Sequence, residues 1–169
     1  DQSIKAQDLQ GDLHFDIKSF AYPDEKDIPV LKNIDFTLKP GQTLGLVGRV
    51  GAGKTTIIQL LLREFDQYDG EITLNGINIK KIPLKVLLSQ ISYVPQNNFL
   101  FSTSIGRNIA FSEADAGKNE IAAAAKKSDL HDDVLQMPHG YETLVGENGL
   151  SLSGGQRQRI GIARALAVN

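Results

Sequence analysis

The chain contains no cysteine, which excludes disulfides and cysteine-ligated zinc and suits a reducing compartment. Neither sign of charge dominates. Its 18 Lys+Arg against 20 Asp+Glu give a formal net charge of −2, so no global basic field points to nucleic acid as a partner. No apolar run approaches the roughly 20 residues that a membrane helix needs. The polar, acidic residues 1–10 do not form a signal peptide, so the chain by itself is expected to be soluble. It has no repeat, low-complexity segment or linker. What it does have is 169 residues with a hydrophobic share of 41%, enough for one domain that buries about two-thirds of its unfolded surface.

Leu13, His14, Phe15, Asp16 and Ile17 alternate apolar and polar, predicting a half-buried strand up to Phe20. A charged loop follows from Pro23 to Pro29. Ile34–Leu38 alternates again and ends in the turn Lys39-Pro40-Gly41. Thr43–Val47 predicts a short apolar strand running directly into glycines. From Lys54 the period turns helical, with Ile57, Ile58, Leu61 and Leu62 on one face. Asp69-Gly70 and Asn75-Gly76 bracket Glu71–Leu74, a hairpin strand. Pro83 opens a short helix through Leu88, and Ile91–Val94 predicts another buried strand. Residues 104–137 predict several helices, with Ala122–Ala125 the strongest helix-forming run, and Ser153–Ala167 predicts a last helix. The pattern is α/β, with β hairpins in front and a helical subdomain behind.

Gly48-Arg49-Val50-Gly51-Ala52-Gly53-Lys54-Thr55 has the spacing of a phosphate loop: Gly, four residues, then Gly-Lys-Thr. The chemistry requires successive backbone N–H groups to converge on a phosphate oxygen, and glycine both permits the angles and leaves no Cβ in the way. Lys54 would lie on the β- and γ-phosphates, and the Thr55 hydroxyl would bind Mg²⁺. The helix that begins here aims its positive end at the same anion. A glycine-rich turn arising by chance is the plain alternative, but the predicted strand before it and helix after it argue against chance.

Leu152-Ser153-Gly154-Gly155-Gln156 opens the last helix, with Ser153 as a good N-cap and two glycines that allow close backbone approach to an anion. Alone, it reads equally as a flexible capped helix start. Downstream of a phosphate loop, it resembles the defining signature of the ATP-binding cassette family. That resemblance, to exporter-type cassettes of the multidrug or lipid kind, runs from about Leu13 to the last residue. It implies a P-loop NTPase core with an antiparallel β subdomain and a helical signature subdomain, incomplete at the C-terminus. Residues 1–95 would be the β-rich and P-loop core. Residues 96–169 would be the Q-loop, helical subdomain and signature helix of the same nucleotide-binding domain.

The resemblance also implies roles. Phe20-Ala21-Tyr22-Pro23 is similar to the A-loop, so Tyr22 would stack on adenine. Gly48 to Thr56 would hold ATP, with Thr55 and Gln96 at the Mg²⁺. Tyr93-Val94-Pro95-Gln96 resembles the Q-loop, whose Gln96 would position the attacking water and link the site to the membrane partner. Val145-Gly146-Glu147-Asn148-Gly149 is similar to the X-loop of exporters, with Asn148 where many carry a basic residue. Phe99-Leu100-Phe101-Ser102-Thr103-Ser104-Ile105 also resembles exporters. Val50 is a departure, standing where the family has Ser or Thr; nucleotide binding is expected to survive it.

By this resemblance two domains, identical or not, face each other head to tail. Ser153, Gly154, Gly155 and Gln156 would touch the γ-phosphate held by the partner. Transmembrane domains complete the transporter, placing the domain at the cytoplasmic face of the cell membrane. The hydrolytic carboxylate and switch histidine are expected beyond Asn169, since His14, His131 and His139 all precede the place for the latter. The fragment is therefore expected to bind nucleotide without turnover. A second copy or a rearrangement is expected to cover the edges of Thr43–Val47 and Ile91–Val94. The alternative is a non-transport cassette, of the DNA-repair or regulatory type. Repair ATPases place long coiled coils between the two motifs, whereas here Lys54 and Ser153 are 99 positions apart (153 − 54), without a heptad run.

Overall fold

The computed structural model describes residues 4–112, 116–146 and 150–167. These form two compact units, Asp1–Ile91 and Ser92–Asn169.

The first unit is built on a four-stranded antiparallel sheet in the order β2-β1-β3-β4. Strand β1 is Leu13–Phe20, β2 Leu31–Leu38, β3 Asp69–Leu74 and β4 Ile77–Asn78. Alternation in β1 buries Phe15 and Ile17 on one face, as period 2 demands. A bulge against β3 between Ile17 and Ser19 shifts that phase, so that Phe20 is buried in place of Ser19. Directly opposite each other, Phe15 and Phe36 stack with ring centroids 5.1 Å apart, a cross-strand pair that helps set the register.

Helix α1 is Lys54–Leu61. Its buried face is Thr56, Ile57 and Leu60, with Leu61 packing partly against the same core; of the expected Ile57, Ile58, Leu61 and Leu62, Ile58 and Leu62 are only half-buried. The helix is turned so that Leu60 fills the core formed with Phe15, Ile17, Phe20, Leu31 and Ile72. The periodicity identified the helix correctly, but which side faces inward is decided by the sheet it covers. Just past the helix, Arg63 at φ 56° donates to the carbonyls of Ile79 and Ile82 at 3.1 and 2.8 Å. This secures the segment leading to helix α2, Leu84–Leu88.

Two expected strands are absent as ladders. Among the described residues neither Thr43–Val47 nor Ile91–Val94 belongs to a β-ladder. Leu44, Leu46, Val47, Tyr93 and Val94 are exposed. Apolar β-formers specify an extended segment, but a strand also needs a partner edge, which local sequence does not supply.

The second unit is helical: α3 Ile105–Ile109, α4 Lys118–Lys127, α5 His131–Leu135 and α6 Gly154–Ala167. Its core is Ile105, Ile109, Ala124, Ala125, Leu130, Val134, Val145, Leu152, Ile160 and Ala163. Small residues on α4 and α6 allow the helices to approach closely. Buried Asn108 holds the preceding loop, accepting from the Phe101 N–H at 2.9 Å and donating to the Phe101 carbonyl at 3.0 Å. Arg164 donates in turn to the Asn108 carbonyl at 2.8 Å. Burial lowers the Arg164 guanidinium from its ordinary value.

Gly70 faces Ile17 across the bulge at φ 115°, and a Cβ there would collide with the Asp16 carbonyl. Gly70→Ala is expected to weaken amide protection across β1 and β3 by more than about 2 kcal/mol. Gly76→Ala, at φ 75° but with open space around it, is expected to cost only about 1 kcal/mol. Native-state hydrogen exchange on both variants checks the difference.

Candidate functional site

In the first unit the glycine loop is shaped by two left-handed residues, Gly51 at φ 81° and Gly53 at φ 83°. Gly53 is the residue capping α1. A Cβ on Gly53 would stand 2.7 Å from Leu31 Cδ2 and 3.3 Å from the Val30 carbonyl. Two separate demands therefore select glycine there: the backbone sign and the seat on the start of β2. Around Gly51 there is open space, so only the left-handed backbone asks for glycine there. Lys54 folds its side chain back across the loop, donating to the Gly48 and Arg49 carbonyls at 2.7 Å each. The ammonium thus sits at the mouth of the loop and closes it. Arg49, Val50 and Thr55 are exposed around it.

Tyr22 reaches the same place from the loop after β1. The pocket against the glycine loop is lined by Tyr22, Glu25, Val30 and residues 51–56. The Tyr22 hydroxyl lies 2.7 Å from Thr56 Oγ1 and donates to Gln59 Oε1 at 2.9 Å. Its ring meets Phe20 and Phe65 edge-on, with centroids 5.2 and 5.4 Å away. The fold therefore brings Tyr22 together with Gly51, Ala52, Gly53, Lys54, Thr55 and Thr56. Gly48 and Arg49 join through their carbonyls on Lys54.

No group of three or more His, Cys, Asp or Glu side chains that could hold a metal occurs among the described residues. An all-protein cation cage is thus not present there, whereas a hydroxyl beside a phosphate cradle suits Mg²⁺, which takes few protein ligands and completes its shell with phosphate oxygens and water. Thr55, exposed in the second position of α1, is such a hydroxyl. Gln96 is exposed and belongs to the second unit.

The signature residues form a capped helix start. Ser153 Oγ accepts from the Gln156 N–H at 3.1 Å, while Gln156 Oε1 accepts from the Ser153 N–H at 3.0 Å. This reciprocal capping box satisfies two otherwise orphaned donors. Gly154 and Gly155 are exposed at the helix entry. Gln156 has a second role: its Nε2 donates to Asp133 Oδ2 at 3.3 Å, and Arg159 pairs with the same carboxylate. The X-loop stretch is described only at Val145 and Gly146. Val145 is buried and donates to the Thr103 carbonyl at 3.0 Å, while Glu147, Asn148 and Gly149 lie outside the described residues.

Sequence reading missed Gln59 and Asp133. Gln59 lies three residues after Thr56, one helical turn along the same face, and that spacing of polar residues on an otherwise apolar helix was the available signal. Asp133 had no local signal, because its partners lie 23 and 26 positions away.

The profile of the ABC transporter family matches residues 31–169. The chain is 44% identical over 169 residues to the multidrug resistance-like ATP-binding protein MdlA of Escherichia coli (strain K12), covering 100% of this chain and 28% of that protein. It is 45% identical over 159 residues to the probable multidrug resistance ABC transporter ATP-binding/permease protein YheI of Bacillus subtilis (strain 168), covering 94% and 27%. The structure of a bacterial Atm1-family ABC exporter with ATP bound matches with a TM-score of 0.88 and 39% identity, over 95% of this chain and 28% of that one. The chain thus spans little more than a quarter of the length of these relatives. With a phosphate loop, a capped LSGGQ helix and a profile match over most of its length, this chain belongs to the ABC transporter family, within that family's ATP-binding domain.

Proposed function

We propose that this chain binds ATP with Mg²⁺ and serves as part of the motor of an exporter, at the cytoplasmic face of the cell membrane. The observation that carries the reading is the single pocket in which Tyr22 and the closed glycine loop meet. The loop's amides and the Lys54 ammonium would hold the triphosphate, and the Tyr22 ring would stack on adenine. Stacking on an aromatic side chain is worth about 1–3 kcal/mol per base in single-strand binders, and a similar scale is expected here. Thr55 would ligate the cation, with Gln96 at the same ion and at the attacking water. When bound, Mg²⁺ neutralises charge on the β- and γ-phosphate oxygens.

The partners in this reading are transmembrane domains and a second nucleotide-binding domain. Ser153, Gly154, Gly155 and Gln156 would face the γ-phosphate held by that second domain, offering the donors of a helix N-terminus. The exposure of Ser153, Gly154 and Gly155 at the entry of a 14-residue helix suits that role. Similarity to MdlA and YheI, both named for multidrug resistance, favours transport over a regulatory or DNA-repair cassette. Residues 1–95 and 96–169 would then divide the labour, the first binding ATP and the second presenting the signature to the partner. Among the described residues no helix is long and apolar enough to cross a membrane.

Lys54→Ala removes the charged donor from the loop mouth and is expected to weaken Mg-ATP binding about 10- to 100-fold. Calorimetric titration checks this, and an unchanged affinity refutes the assignment. Ser153→Arg, in the full-length protein, is expected to leave nucleotide binding intact while suppressing ATP-dependent association of the two domains. Sedimentation or crosslinking with and without Mg-ATP measures that separation.

A further inference from the structure

Tyr22 sits in the loop 21–30, whose backbone bonds are local turns and one tie to β1: Glu25 N–H to the Tyr22 carbonyl and Ile28 N–H to the Glu25 carbonyl, both at 3.0 Å, and Val30 N–H to the Phe20 carbonyl at 2.7 Å. A ring on such a loop would sample several rotamers unless something held its far end. Two residues of α1 do so. Thr56 and Gln59 lie one turn apart on one helical face and both reach the Tyr22 hydroxyl.

The direction of each hydrogen bond follows from the donors available. Gln59 Nε2 donates to the Glu64 carboxylate at 2.9 Å. That fixes the amide so that Oε1 faces Tyr22, and the Tyr22 O–H donates to it. A phenol has one proton to give, so Thr56 must donate its own hydroxyl proton to the Tyr22 oxygen. Thr56 is 3% exposed, so little water competes for that proton. The result is a directed relay, Thr56 to Tyr22 to Gln59 to Glu64, anchored on a helix whose first residue is Lys54. Phe20 and Phe65 meet the ring at 77° and 78° and restrict its remaining freedom.

We infer that Thr56 and Gln59 are positioning residues that hold the Tyr22 ring as a preorganised base platform, so that the pocket prefers an adenine nucleotide over a bare polyphosphate chain. The inference rests on the reading of Tyr22 as the base-stacking residue. Preorganisation contributes affinity because the ring's ordering cost is met before the ligand arrives. The phosphate loop is common to both ligands; the platform serves only the nucleotide. The ratio of the two affinities therefore isolates the relay.

The test titrates the full-length protein with Mg-ATP and with Mg-tripolyphosphate by calorimetry, and reads the ratio of their dissociation constants. Tyr22→Phe keeps the ring and removes the hydroxyl. It, Thr56→Val and Gln59→Leu are each expected to reduce the preference for ATP about three- to tenfold. Thr56→Ser, which keeps the donor, is expected to retain the preference. Tyr22→Phe combined with Thr56→Val is expected to be no worse than Tyr22→Phe alone, since both break the same bond. A Tyr22→Phe ratio equal to wild type, or full additivity in the double variant, overturns the inference. Equal losses for ATP and tripolyphosphate in all three single variants would mean a structural role in the loop, and also overturn it. The underlying reading fails separately: a Tyr22→Ala protein that still prefers ATP as strongly as wild type has no platform at Tyr22 to position.

Discussion

Gly53 lies with its α-carbon against Leu31, the first residue of β2, and takes a left-handed backbone that starts α1. Leu31 is 2% exposed, at the centre of the first unit's core. Any side chain at Gly53 would push the loop away from that core, and with it the helix that begins one residue later. Lys54, Thr55, Thr56 and Gln59 all take their places from that start. The loop's shape, the ammonium at its mouth and the tether on Tyr22 are consequences of one backbone seated on one leucine. Close packing makes the seat unforgiving, since interiors hold few voids to absorb an added carbon.

In the second unit the equivalent organising group is a carboxylate. Asp133 on α5 accepts from Gln156 and pairs with Arg159, both on α6. The Ser153–Gln156 capping box then sets the entry of α6. Gln156 therefore has its carbonyl oxygen committed to the cap and its amide nitrogen to Asp133. This leaves the hydroxyl of Ser153 and the amides of the two glycines as the groups nearest to solvent at the helix entry. Asn108 and Arg164 do similar work for the loop before α3, where a buried carboxamide supplies the backbone partners that a short helix lacks.

The candidate sites of the two units, each taken by itself, differ in how they use polarity. Tyr22, Thr56, Gln59 and Lys54 are paired with one another, with Glu64 or with backbone carbonyls, so they are held in place before any ligand arrives. At the signature, polarity is that of a helix N-terminus, a fixed backbone property that needs only a stable cap. Both arrangements suit an anion. Neither needs a buried charge, whose desolvation would be costly.

The sequence alone determined the elements whose signal is local. Alternation placed β1 at Leu13–Phe20, the helical period placed α1 after Lys54, and Ser153 marked the start of α6. The phosphate loop and signature were equally legible, because consecutive residues specify backbone shape. Tertiary structure decided what depends on neighbours distant in the chain. It turned α1 so that Leu60 is its most deeply buried side chain, with Leu61 and Leu62 half-buried, shifted β1 by a bulge at Lys18, and left Thr43–Val47 and Ile91–Val94 without ladders. It also joined Tyr22 to Thr56 and Gln59, and Asp133 to Arg159. Periodicity states which residues share a face; only packing against another element states which way that face points, and hydrogen bonds between residues tens of positions apart leave no trace in local spacing.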